Sequence, residues 1–571
     1  MRRSRWLLIV LLAVIVIGAS WLWWVKPSQV DMAAHAPANS LLYLETNNPL
    51  EVVQALESTE AWRIVENFAG RGQNSRKNAW LHKLVGWTGI GPIESVILAR
   101  AQVAVIITDL GTTEDAETLR IKPEAALIIE TKTSEHRIRP AVEKAVKKLA
   151  ELTYGKPSSR AITIDGVDFT EWVAPDGSRQ IVSVIYGSLV IIGNTRQAVQ
   201  TCLAVSQGLQ PSLKEDAELN RLRLELGGAE ALSFGYVPTS KSARLLSIGV
   251  PLLMGRAPAN SEFQRLISSG ASKVFGSIGW SCRPFMAGIE DRFLISLQPS
   301  ILDTLKPTFT PINLSSLRPQ LRTDEVHSVT YYNFGNPILA WQALKTSVSS
   351  QVDALSAIIF TSLLNSSLGS YGIVDPEQFL SAVNSDIVTL RMDQNAERSL
   401  LVARVRDQAK LRELLTKTMR VKATTNQPGQ VEMLEDPQGE LSASFVGEFV
   451  VLGAPTDVRR YTEALGNSAK PADPNKLKKL TFFAPSSSAN IMTYADDSDR
   501  VRDFVAAVLA AKGVSAVVGS GMDQLLYGLP YSSTETTLGD RGLERTTRSP
   551  LGQFSTLLPL LIPAERARAT P

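Results

Sequence analysis

SLLYLETNNPLEVVQAL, Ser40 to Leu56, returns later in the chain as SVTYYNFGNPILAWQAL, Ser328 to Leu344. Seven of the 17 aligned positions are identical at a constant offset of 288: Ser40/Ser328, Tyr43/Tyr331, Asn48/Asn336, Pro49/Pro337, Gln54/Gln342, Ala55/Ala343 and Leu56/Leu344. Chance gives about one, so the pair reads as an internal duplication. Weaker matches follow in the same order. GIGPIESVI from Gly89 resembles GIVDPEQFL from Gly372, ALIIETKTSEHRIRPAV from Ala126 resembles LLVARVRDQAKLRELL from Leu400, and YGSLVIIGNTRQAV from Tyr186 resembles VGEFVVLGAPTDVR from Val446. The offset shrinks along the chain, as expected of two homologous halves whose second copy has lost loop residues.

Inside the repeated stretch, LLYLET has the short apolar and aromatic run of a strand, and Asn48-Pro49 supplies a turn with proline at the first helical position. Leu50, Val53 and Leu56, then Trp62, Val65 and Phe68, recur at helical intervals, with Ser58-Thr59 as a break. A strand is expected over Ala126 to Glu130, then a helix capped by Ser134 and running to about Leu152. Strands follow at Val167 to Val173, Gln180 to Tyr186 and Leu189 to Ile192, with an Asp176-Gly177 hairpin turn, then a helix from Thr195 to Gln207 and a strand from Ala231 to Val237.

This alternation predicts an α+β fold. An N-terminal transmembrane helix is followed by two homologous repeats with mostly antiparallel sheets and flanking helices on one face. The expected divisions are 1–28 for a cytoplasmic tip and anchor, 29–300 for the first half, 301–324 for a linker, and 325–571 for the second half with an apolar C-terminal tail. An elongated shape is expected.

Outward from the repeat, Trp6 to Val25 is an uncharged run of about 20 residues, roughly 30 Å as a helix, which matches a bilayer core. Trp6, Leu7 and Leu8 enter the membrane and Trp21, Trp23 and Trp24 lie at its outer interface. Arg2, Arg3 and Arg5 precede the run and only Lys26 follows closely, which places Met1 in the cytoplasm and the body in the periplasm or extracytoplasmic space of a bacterial inner membrane. A cleaved signal peptide is the competing reading, because Gly18, Ala19 and Ser20 are small enough for a peptidase.

The formal charge of +3 falls to −1 once those four flanking cations are removed, leaving 55 basic against 56 acidic residues. A neutral body has no field to hold nucleic acid by counterion release. Cys202 and Cys282 are the only cysteines, in a helical and a strand-like pattern respectively, and read as two buried thiols with a disulfide as the alternative.

Catalytic patterns do not assemble. Gly276-Ser277-Ile278-Gly279 and Gly519-Ser520-Gly521 lack the nucleophile-elbow spacing. Of the four histidines, His35 falls in the tether, His82 beside Lys83, His136 among Arg137 and Arg139, and His327 just before the repeated strand, where the first half has Asn39. No cluster has zinc spacing, Asp496-Asp497-Ser498-Asp499 lacks the glycine and distal glutamate of a calcium loop, and Gly155-Lys156-Pro157 is no phosphate loop. No cofactor or metal is expected. The best-kept repeated positions, Tyr43, Asn48, Pro49, Tyr331, Asn336 and Pro337, read as structural: proline fixes the turn, asparagine bonds nearby backbone, tyrosine packs the sheet. The aliphatic segments Leu245 to Met254, Leu355 to Leu364, Phe504 to Val518 and Phe554 to Ile562 are core by default and otherwise contact surfaces.

AHAPANSLLYLETNNPLEVVQAL, Ala34 to Leu56, resembles the opening of an uncharacterised bacterial family of membrane-anchored envelope proteins with a domain of unknown function. Its members carry a Leu-Pro-Ala-Asp-like segment before a tyrosine-containing strand; here Ala36-Pro37-Ala38-Asn39 stands there, departing at the first and last positions. The resemblance implies an envelope location and carries over no catalytic residue. The sequence therefore points to a non-enzymatic binding or assembly module with a protein partner. A lipid or hydrophobe carrier is the alternative, and a hydrolase with an unfamiliar site is a third reading.

Overall fold

A computed structural model describes residues 29–68, 97, 100–115, 118–253, 261–311, 326–393, 399–419, 433–466, 488–511 and 520–556. The anchor segment 6–25, most of the 301–324 linker and the tail beyond 556 lie outside the described residues. No helix among those described is long and apolar enough to cross a membrane.

Among the described residues, nineteen strands make one sheet. In chain order they are β1 (Leu42–Thr46), β2 (Gln102–Asp115), β3 (Thr118–Glu130), β4 (Ser158–Ile164), β5 (Val167–Val173), β6 (Gln180–Tyr186), β7 (Leu189–Gly193), β8 (Ser233–Val237), β9 (Phe275–Phe285) and β10 (Gly288–Leu297). Then come β11 (Ser328–Asn333), β12 (Val383–Arg391), β13 (Leu400–Val405), β14 (Met433–Glu435), β15 (Ser442–Val446), β16 (Phe449–Gly453), β17 (Ile491–Ala495), β18 (Ser532–Leu538) and β19 (Gly542–Ser549). Every pairing is antiparallel. From one end to the centre the strands run β4-β5-β6-β7-β3-β2-β1-β8-β9-β10. From the centre to the other end they run β19-β18-β17-β11-β12-β13-β16-β15-β14. At a spacing of about 4.8 Å, the sheet measures about 90 Å along its curve.

The expected fold class is corrected here. Two repeats with sheets of their own would leave β10 and β19 as edges, each with a row of unpaired N–H and C=O groups. Instead β10 pairs β19 over eight positions, Ile289↔Ser549 to Ser296↔Gly542, and the chain forms a single sheet. Nine strands from β5 inward meet nine from β14 inward in the same connectivity, so the centre has a pseudo-two-fold relation. Only β4 has no counterpart among the described strands.

Helices on one face alone were expected, and this too is corrected. Alternate residues of β3, β6 and β7 feed two different cores. Ile128, Val182, Val184 and Ile191 pack beneath Met32–His35 and the helices Arg196–Ser206 and Ala217–Glu225. Ile129, Ile181, Ile185, Val190 and Ile192 pack beneath Glu135–Tyr154. With both faces covered, β6 is buried over five consecutive residues, Ile181 to Ile185, apolar except for Ser183, rather than alternating between buried and exposed.

The halves also exchange helices. Leu56, Ile64 and Val65, from the two helices after β1, pack with Phe504, Val505, Leu509 and Met522, from the two helices after β17, over Trp280 and Ile289. In the equivalent place, Val274 and the helix Pro299–Leu305 pack with Val348 and Phe360 from the helices after β11. The start of the expected linker, 301–305, thus belongs to the helix Pro299–Leu305, with Ile301, Leu302 and Leu305 buried.

Candidate functional site

The repeated residues hold the strand-to-helix corners. Asn48 Oδ1 accepts from Leu50 N at 3.1 Å and Glu51 N at 3.4 Å, with Pro49 opening the helix Pro49–Glu57. Asn336 Oδ1 accepts from Leu339 N at 3.3 Å, with Pro337 in the same place. Asparagine here satisfies amides that a helix start leaves without partners. Tyr43 and Tyr331 occupy equivalent positions on β1 and β11, and both are buried. Tyr331 meets Tyr494 edge-on at 6.3 Å.

Tyr43 belongs to a buried charged group. Its hydroxyl donates to Glu45 Oε2 at 2.7 Å. Arg223 Nε lies 2.8 Å from Glu45 Oε1 in an ion pair, and Arg223 Nη1 reaches Asp31 Oδ1 at 3.3 Å. The guanidinium also stands 5.7 Å over the Phe234 ring. Burial raises the Glu45 carboxyl above its ordinary range, and Arg223 pulls it back down. Met32 and Ala33 are fully buried and His35 Nδ1 lies 3.2 Å from Ser206 Oγ, so the reading of His35 as part of a tether is corrected. Burial lowers the His35 pKa and favours the neutral ring.

A second carboxylate, Asp291 on β10, is fully buried. It accepts from the Trp280 indole at 2.9 Å and the Gln553 amide at 3.0 Å, fastening the chain after β19 back onto the first half. Burial, assisted by Glu290, pushes its pKa up to about 6 against those two hydrogen bonds. The folded state therefore binds this proton more tightly than the unfolded chain. The stability it contributes is complete below about pH 4 and is lost as pH rises through about 6, a change of about 3 kcal/mol. Asp291→Asn removes that titration. Urea unfolding should show the gap between variant and parent moving by about this amount in the variant's favour from pH 4 to pH 7.5; a constant gap would refute the assignment.

The third carboxylate stiffens one end of the sheet. Glu171 on β5 has a fully buried side chain held between Arg160 Nε at 2.7 Å and Arg196 Nε at 2.6 Å. Hydrogen bonding to Arg196, with Arg160 adding to it against the effect of burial, keeps the carboxyl below its usual range. Arg160 lies on β4, so the clamp ties the outermost strand to the helix Arg196–Ser206.

Beyond β4 no described strand pairs. Ser158, Ser159, Arg160, Ala161 and Thr163 are exposed, and Ile162 and Ile164 are half-buried. Antiparallel pairing directs only alternate residues toward β5, so the rest present their N–H and C=O groups outward. The opposite end of the sheet is only the three residues of β14.

No protein-family model, curated protein or solved structure matches the chain. Cys202 and Cys282 are free and buried in separate cores, and burial pushes each thiol up to about 12. His327 is held by its backbone between Arg391 and Asp496, and His82 lies outside the described residues. Asp496 Oδ1 accepts from Ser498 N at 3.0 Å at the start of the helix Ser498–Ala511. Among the described residues, no group of three His, Cys, Asp or Glu side chains is placed to hold a metal ion. Of the aliphatic segments, Phe504, Val505 and Leu509 are core, while Ile358 is exposed. An apolar cleft of about 80 Å³ lies under Glu135–Tyr154, lined by Ile129, Ile138, Val142, Val146, Val190 and Ile192.

Proposed function

We propose that the body of this chain is a non-enzymatic binding and assembly platform, working in the extracytoplasmic space through the open edge of its sheet. Its attachment to the membrane rests on Trp6 to Val25, outside the described residues. The observation that carries the reading is β4: a seven-residue strand, exposed at five positions, clamped through Arg160 at the end of the sheet. Such an edge recognises another polypeptide through main-chain hydrogen bonds.

A photo-crosslinking amino acid at Thr163, in the full-length protein in cells, should yield a discrete adduct with another polypeptide chain. The same group at Lys144, exposed on the helix Glu135–Tyr154, should not. Identical patterns from both positions, or no adduct from Thr163, would overturn the proposal. The carrier alternative has less support. The apolar cleft under Glu135–Tyr154, at about 80 Å³, is smaller than a cavity of about 150 Å³ that holds one benzene ring, and the groove of about 450 Å³ along Ala357, Ile358, Thr361, Ser362 and Asn365 is open to solvent rather than enclosing.

A further inference from the structure

Resting on the reading of β4 as a binding edge, we propose that its occupant is β4 of a second copy of this chain, paired antiparallel about Ala161 to form a two-fold dimer with a continuous sheet. Four observations meet at this strand. It is seven residues long and, among the described strands, alone has no counterpart in the pseudo-symmetric sheet. It has few of the devices that blunt edges: within Ser158–Ile164 there is no proline or lysine, the one charge, Arg160, is ion-paired with Glu171, and the register with β5 runs unbroken from Ser158↔Val173 to Ile164↔Val167.

Its charge pattern suits itself. Full overlap of two antiparallel copies sets Ser158 opposite Ile164, Ser159 opposite Thr163 and Arg160 opposite Ile162, with Ala161 on the axis, so no like charges face each other. The two Arg160 side chains stand diagonally, and each is ion-paired with its own Glu171, which Arg196 shares. Finally, β10 and β19 show the same operation within the molecule, two related edges joined antiparallel about a pseudo-two-fold axis. Repetition between chains gives an isologous contact, which closes at two copies.

The register makes the proposal sharp. Residues directly opposite lie about 4.5 to 5.5 Å apart at Cα, within the range of a disulfide, whereas residues two positions from the axis are separated from their own copies by about 13 Å. Ala161→Cys in the full-length protein, under mild oxidation, should give a disulfide-linked dimer at least tenfold faster than Thr163→Cys, whose side chain shares the same face. Both sites are exposed, and the native thiols are buried. Equal rates at the two positions, or no dimer from Ala161→Cys, would overturn it. A heterologous adduct from Thr163 in cells without a symmetric Ala161→Cys dimer would leave the binding platform standing and remove only the second copy.

Discussion

Gly542→Ala should break the centre of the sheet, with a loss of about 3 kcal/mol in unfolding free energy, at the upper end of what overpacking costs. A Cβ at Gly542 would lie inside contact with the Ile295 carbonyl oxygen and 2.9 Å from Ser296 Cα, both backbone atoms of β10 that cannot turn aside. The far end of the junction is equally tight: a Cβ at Gly288 would meet Ser549 O at 2.5 Å. Two glycines thus allow β10 and β19 to approach. Amide hydrogen exchange should quicken over 289–296 and 542–549 and stay slow in β1 and β11. Gly539→Ala is the control, because the atoms nearest its new methyl all belong to the movable Glu544 side chain. Equal behaviour of the two variants would refute the junction.

Removal of Arg223 should be as damaging for a different reason. Arg223→Ala leaves Glu45 buried with only the Tyr43 hydroxyl, and an uncompensated buried charge costs about 3 to 5 kcal/mol. Urea unfolding at pH 7.5 should show that loss, and it should shrink toward pH 4.5. Glu45 already has a raised pKa that Arg223 holds down, so without Arg223 the carboxyl takes up its proton at higher pH and its charge disappears. Glu45→Gln combined with Arg223→Met should recover most of the stability. A loss below about 1 kcal/mol for Arg223→Ala would mean that Glu45 is not held by this ion pair.

Local structure was legible wherever residue type dictates backbone. Asn48-Pro49 and Asn336-Pro337 mark helix starts because proline fixes φ and asparagine accepts from the first amides. Hairpin spacing around Asp176-Gly177 locates the turn between β5 and β6. The assembly of these pieces was not legible. Pairing of β10 with β19 depends on edges some 250 residues apart, and nothing local in GIEDRFLISL, Gly288 to Leu297, announces a partner. One-sided helix packing failed because β6 and β7 are apolar on both faces, a pattern that alternation alone cannot assign. Among the charged sites, Glu45 had a signal in the sequence. It lies two residues from the repeated Tyr43, on the same side of an apolar strand, where an unpaired carboxylate would be costly. Asp291 and Glu171 had none, since Gln553, Arg196 and Arg160 reach them only through the fold. The open edge of β4 was missed because SSRAITI, Ser158 to Ile164, is weakly alternating and only its place in the sheet exposes it.

The central claim, one sheet carried through β10 and β19 with helices exchanged between halves, is tested most directly by cutting the connection. A protease site inserted between Ser315 and Ser316 in the full chain severs that connection once it is cut. The two fragments should remain together as one particle of the intact mass and unfold in a single urea transition. Separation into two folded fragments without denaturant would contradict the claim.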